Sequence, residues 1–144
     1  NIYNGNLQES LIILLYTSIP EVEDMYESRE MYLETILVLM KRKGQVRSID
    51  IARELNFSKP SVSRAVGILK EDDFISVDAD GFIELTEKGQ KKAHDIYEKH
   101  KVLTTFLTDI IKVAPETAEE DACRIEHVIS DDTFRGIKKY LSDK

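Results

Sequence analysis

The feature that most restricts this chain is the pentapeptide Asn56-Phe57-Ser58-Lys59-Pro60, set between two short stretches of helical periodicity. Upstream, Ile51, Ala52 and Leu55 face one way, with Ser48 as the expected N-cap and Asp50 in the first turn, where negative charge is favoured. Asn56-Phe57-Ser58 reads as a tight turn. Ser58 can cap the next helix, Pro60 suits its first turn, and Val62, Val66 and Leu69 recur at i, i+4 and i+7 as a buried stripe. A turn this short leaves two helices little choice of relative orientation. It also leaves Lys59, Ser61, Ser63 and Arg64 exposed together at the start of the second helix.

The flanking segments extend the pattern. Residues 7–16 carry a possible short helix, broken at Ser18-Ile19-Pro20, to which no function attaches. From about residue 27 to 43, Tyr32, Leu33, Ile36, Leu37, Leu39 and Met40 form a helical stripe ended by Gly44. Residues 74–77 and 82–85 are β-type runs around Asp78-Ala79-Asp80-Gly81, a hairpin with glycine at the turn. Thr86 is expected to cap a helix running to about Thr108, despite Gly89 in its first turn. A break at residues 112–115 precedes a helix through Ile129, and Ser130-Asp131-Asp132 begins a last one ending near Tyr140. The order helix, helix, tight turn, helix, hairpin is that of a winged helix-turn-helix. The expected fold is therefore mainly α: an extension over 1–26, a winged helix-turn-helix over 27–92, and a helical domain over 93–144.

Charge supports a nucleic-acid role only when read locally. The chain carries −7 overall, yet residues 41–70 hold eight bases against two acids, between acidic flanks. Such a basic island can bind phosphate even in an acidic protein. The second helix of the motif enters the major groove with its first residues at base edges. Arg64 can bond a guanine edge in two places, and Ser61 and Ser63 suit base or phosphate. Lys41, Arg42, Lys43, Arg47, Ser58 and Lys59, with Pro60 shaping the helix start, are expected to set position on the phosphates. The acidic tip at Asp78 and Asp80 contributes little phosphate contact. The alternative is a helical hairpin with a solvated basic face.

A second constellation lies far along the chain. Cys123, Glu126 and His127 sit at i, i+3 and i+4, which a helix gathers onto one face, and all three are ligand types for a first-row transition metal. Met31 and Glu34 lie one turn apart near the other end. Singly, each has an ordinary reading: Met31 as core packing, Cys123 as a small buried hydrophobe, Glu34 and Glu126 as solvated helix residues, His100 as exposed. Their grouping points the other way, because burying Glu126 beside such neighbours is costly without a partner. Spacing alone leaves both readings open.

Other classes fit less well. The longest apolar run, residues 11–16, is far too short to span a bilayer, and no basic stretch precedes it as in a signal peptide. The opening Asn reads as a start partway into a longer protein or just after disordered residues. One cysteine rules out an internal disulfide and fits a reducing cytoplasm. No phosphate loop, and no nucleophile with an adjacent base outside the metal cluster, suggests an enzyme or a small organic substrate.

From about Ser28 to Leu141 the chain resembles the diphtheria toxin repressor and manganese transport regulator family of metal-dependent bacterial repressors. The stretches carrying the resemblance are Glu30-Met-Tyr-Leu-Glu-Thr-Ile36, Ser58-Lys-Pro-Ser-Val-Ser63, Leu85-Thr-Glu-Lys-Gly89, Lys99-His100, Phe106-Leu-Thr-Asp-Ile-Ile111 and Asp121-Ala-Cys-Arg-Ile-Glu-His-Val-Ile-Ser-Asp131. The resemblance implies a homodimer on a palindromic operator, with a C-terminal domain that dimerises and binds metal. By position it implies Met31, Cys123, Glu126 and His127 as the primary site of iron-type members, and His100 as a ligand of their ancillary site. The other two ancillary positions fall on Thr104 and Glu119, where iron-type members use Glu and His. Glu34 matches a carboxylate ligand of the manganese branch, which has carboxylates at the positions of Met31 and Cys123. The ligand set is thus a hybrid. Thioether and thiol donors favour softer ions, so Fe(II) is expected over Mn(II). The third, SH3-like domain of longer iron-type members is not expected.

Overall fold

The computed structural model describes the backbone of residues 20–144 and the side chains from Arg29 onward; the expected helix over 7–16 lies outside the described residues. Helix α1 spans Pro20–Lys43, α2 Ser48–Leu55 and α3 Lys59–Glu71. Strands β1 (Ile75–Val77) and β2 (Ile83–Leu85) follow, then α4 (Glu87–Phe106), α5 (Pro115–Ile125) and α6 (Asp131–Ser142). Among the described residues no helix is long and apolar enough to cross a membrane.

α1 starts at Pro20, earlier than the expected residue 27. Proline suits a first helical turn, because its φ is preset and its missing N–H would have no partner there. The helix buries Tyr32, Leu33, Ile36, Leu37 and Leu39 and stops at Gly44, whose φ of +84° suits glycine. In α2 the expected cap is displaced by one residue: Arg47 is the N-cap, and the Asp50 carboxylate accepts its backbone N–H at 2.8 Å. Ser48 is instead the first helical residue. Asn56 leaves the helix in the left-handed region (φ 54°), and Ser58 caps α3 by accepting from the Ser61 N–H at 3.3 Å. Val62, Val66 and Leu69 are buried as the periodicity requires.

The hairpin pairs Ile75 with Leu85 and Val77 with Ile83, and Val46 adds a bridge, accepting the Ile83 N–H at 2.7 Å. One oxygen of Asp78 accepts the N–H groups of Asp80 and Phe82, both at 2.9 Å, so the acid at the tip builds the turn. The hairpin runs into α4 through Thr86 alone. Thr86 Oγ1 accepts from the Gly89 N–H at 3.1 Å and donates to the Asp73 carbonyl at 2.6 Å. A Cβ on Gly89 would stand 1.9 Å from the Phe74 carbonyl oxygen, which is why glycine occupies a helical first turn here.

α4 is the common strut. Ala93 joins the core of α1–α3 and the hairpin, while Leu103 is buried further along, where α5 and α6 pack. A π-helical turn over Leu107–Ile111 carries the helical path past the expected end at Thr108. α5, with Ala118 and Ala122 buried, stops at Ile125, four residues before the expected Ile129. Glu126 keeps helical dihedrals (φ −56°, ψ −28°), although it and His127 lie in the turn beyond the helix. Ser130 caps α6 through the Thr133 N–H.

Candidate metal centre and nucleic-acid face

Glu126 is the point on which the cleft is built. It is 1% exposed, the one charged residue among the described residues to be buried. Its Oε2 lies 2.8 Å from His100 Nδ1 on α4, and its Oε1 lies 3.3 Å from His127 Nε2. Oε1 nevertheless receives no hydrogen bond from any described residue. A buried carboxylate oxygen left in that state costs free energy that a cation would recover.

Two groups of donors share this carboxylate. His100, Cys123 and Glu126 offer atoms within 4.8 Å of one another, and so do Glu34, Glu126 and His127. The donors come from α1 (Glu34), α4 (His100), the last turn of α5 (Cys123) and the turn that follows (Glu126, His127). The structure thus places Cys123 with His100, and Glu34 with His127. Met31 lines the same open groove of about 750 Å³ as Glu34, His100, Glu119 and Cys123, and it packs partly against the core. His100 is half-buried, contrary to its reading as a surface residue.

The charges show what the cleft lacks. Burial, then the nearby Glu126 carboxylate, raises the Glu34 pKa to about 7. The Cys123 sulfur and then the Glu126 carboxylate hold His100 protonated, raising it to about 11. Burial works against a charged His127, but the Glu30 carboxylate and Glu126 outweigh it and the net shift is upward. Protons therefore occupy the places where a cation would neutralise the carboxylates. The residues fit such an ion: nitrogen, oxygen and sulfur donors converge on a buried oxygen that accepts no hydrogen bond.

Three further side chains adjoin the donors, of which only Glu30 was given no place in the site from sequence. Glu119 Oε1 lies 3.0 Å from His100 Nε2. Thr104 donates its hydroxyl to the His100 carbonyl at 2.8 Å, so at its position a hydroxyl holds the α4 backbone. Glu30 Oε2 lies 3.0 Å from His127 Nδ1.

On α3, Lys59, Pro60, Ser61, Ser63 and Arg64 are all exposed along the first turns. Ser58 Oγ donates to Ser61 Oγ at 2.8 Å, holding the helix start in shape. Lys59 and Ser63 line a shallow groove with Ser48 and Ile49. The remaining bases are exposed but already engaged. Arg42 pairs with both oxygens of Glu54, Lys43 with Asp50 at 2.6 Å, Lys41 stacks over Tyr97, and Arg47 over Phe82. Exposed pairs of this kind contribute little and exchange readily for phosphate.

Comparison with known proteins covers both halves of the chain. Residues 24–81 match the model of the iron dependent repressor N-terminal DNA binding domain. Residues 86–143 match that of the iron dependent repressor metal binding and dimerisation domain. The iron-dependent repressor IdeR of Mycobacterium tuberculosis is 34% identical over 122 residues, 85% of this chain and 53% of the relative. The diphtheria toxin repressor of Corynebacterium diphtheriae is likewise 34% identical, over 85% of this chain and 54% of the relative. A solved structure of the manganese regulator SloR superposes with a TM-score of 0.71 at 31% identity, covering 79% of this chain and 53% of that one. The chain spans about half the length of the curated relatives it matches.

Proposed function

The chain belongs to the diphtheria toxin repressor and manganese transport regulator family, and we propose that it is a divalent-metal-dependent transcriptional repressor. In this reading a homodimer binds a palindromic DNA operator and represses genes for metal uptake. The observation that carries it is Glu126: a buried carboxylate with an oxygen that accepts no hydrogen bond, ringed by donors from three other parts of the chain.

The mechanism follows from where those donors sit. Glu34 belongs to the helix that supports α2 and α3, whereas Glu126 and His127 belong to the second half. A divalent cation would supply the positive charge and coordination bonds that two facing carboxylates lack. Without a cation, Glu34 faces Glu126 at the expense of a pKa raised to about 7, so that its charge is suppressed by a proton. Once neutralised, they hold the two halves in one arrangement. That arrangement must be the one in which both α3 helices of a dimer meet successive major grooves, about 34 Å apart. A coupling of ~1–3 kcal/mol would tighten operator binding roughly 5–150-fold. Arg64, Ser61 and Ser63 then read base edges, while Ser58, Lys59, Lys41, Arg42, Lys43 and Arg47 hold phosphates.

The thioether of Met31 and the thiol of Cys123 favour Fe(II) over Mn(II); the family includes an iron-dependent repressor and a manganese regulator. Ile111, Val128 and Tyr140 remain exposed in the second half, the kind of surface a partner subunit covers. The test is an anaerobic titration of Fe(II) or Mn(II) during an operator-binding assay. Tighter binding on metal addition, reversed by a chelator, supports the reading. Affinity indifferent to both would leave a winged-helix DNA-binding module without metal control.

A further inference from the structure

Glu30 stands one residue before Met31 on α1, yet belongs to neither donor group. Both of its oxygens are engaged elsewhere. Oε2 lies 3.0 Å from His127 Nδ1, and Oε1 lies 3.1 Å from Lys92 Nζ on α4. His127 meets the buried carboxylate with its other nitrogen, Nε2, 3.3 Å from Glu126 Oε1. The two nitrogens of an imidazole diverge across the ring, so a group bonded to Nδ1 does not share an ion held at Nε2. A carboxylate at Nδ1 keeps the ring proton there and presents the Nε2 lone pair outward.

We propose that Glu30 is a positioning residue of the metal centre: anchored by Lys92, it fixes the His127 ring so that Nε2 is the nitrogen presented to a divalent cation. The inference rests on the metal-binding reading above. Glu30 reaches His127 across 97 positions of sequence, and the His127 side chain is only 9% exposed. The pair is thus an inter-element brace in a shielded place, unlike the surface pairs of the reading face. Through Glu30, the DNA-binding half sets the orientation of a ligand carried by the other half.

The test uses the full chain with Co(II) as an optical probe and Zn(II) as a diamagnetic one. In the Zn(II)-loaded wild type, long-range ¹H–¹⁵N spectra should show His127 protonated at Nδ1 and metal-shifted at Nε2. Glu30→Ala should weaken Co(II) binding about 10–100-fold and alter its visible absorption. Glu30→Gln, whose amide oxygen still accepts from Nδ1–H, should restore most of both. Lys92→Met, which leaves Glu30 in place, should cost less than the roughly tenfold lower end of such outer effects. Metal on Nδ1 would overturn the proposal, and so would an unchanged Co(II) affinity and spectrum in Glu30→Ala. Loss of an oxygen neighbour from the Co(II) shell in Glu30→Ala, read by X-ray absorption, would make Glu30 a direct ligand and equally overturn it. If Glu30→Ala does not fold, the nitrogen assignment in the wild type and the two milder variants decide. No uptake of Co(II) or Zn(II) by the wild type would sink the metal-binding reading itself, an outcome distinct from the others.

Discussion

The reading face around α3 and the cleft around Glu126 are built on opposite terms. On the face, the hydrogen-bonded partners lie close in sequence, Ser58 with Ser61, Asp50 with Arg47 and Lys43 with Asp50, while Lys41 and Arg47 reach the more distant rings of Tyr97 and Phe82. In the cleft, Glu126 meets His100 across 26 positions, and one carboxylate is withdrawn from solvent with an oxygen unmet. Solvated local pairs are individually weak and can be changed one at a time. A buried charge is coupled to everything around it, so removing or neutralising one partner is felt by all. The face is therefore the fixed part of the molecule, and the cleft is the part a cation can alter.

That division can be broken at several points. The largest effect is expected from Glu126→Ala, which should erase metal dependence altogether, forfeiting the whole of a roughly 5–150-fold enhancement. Fluorescence anisotropy on operator DNA with and without Mn(II) would show it; a collapse of metal-free binding as well would mean the two regions are inseparable. Arg64→Ala should weaken specific DNA binding by about 1–3 kcal/mol, while isothermal titration finds metal affinity unchanged. Acidification should act on the cleft. With Glu34 at about 7 and His100 at about 11, both carry protons below neutrality that an incoming cation must displace. Metal affinity should therefore fall as pH falls, by about tenfold per unit for each proton released, a slope read from titrations at several pH values. The smallest effect is that of Ser58→Ala, a lost cap of ~1 kcal/mol in urea unfolding with no change in metal binding.

Sequence made the face legible because its rules are short-range. The αL exit at Asn56, the Ser58 cap, Pro60 and the Val62–Val66–Leu69 stripe each involve residues within one or two turns. Even the error was local: the Asp50 side chain took the Arg47 N–H, which moved the cap from Ser48 to Arg47. The single bridge at Val46 left no periodic trace. In the cleft, residue types and spacing exposed Cys123, Glu126 and His127 as possible donors, and the family resemblance added His100. How the donors pair was hidden, because α1, α4 and α5 come together only through packing. Glu30 was hidden too, since an acid on an amphipathic helix looks the same whether it faces water or a histidine, and Glu119 was reached only through the family resemblance. For Glu30 one signal existed: it lies four residues before Glu34, and so one turn away on the same helix.

α1 carries Glu30 and Glu34 in the cleft and Lys41, Arg42 and Lys43 on its last turn, without an interruption between them. Each residue of a helix adds about 1.5 Å and a rotation of about 100°. From Glu34 to Lys41 the rod is therefore only about 10 Å long, yet its two ends are locked in phase. Inserting or deleting one residue in that interval would swing the lysines out of register with the carboxylates while leaving every side chain chemically intact. The hairpin tip over residues 78–81 would absorb the same insertion harmlessly. Length, more than composition, is what this spindle cannot trade away.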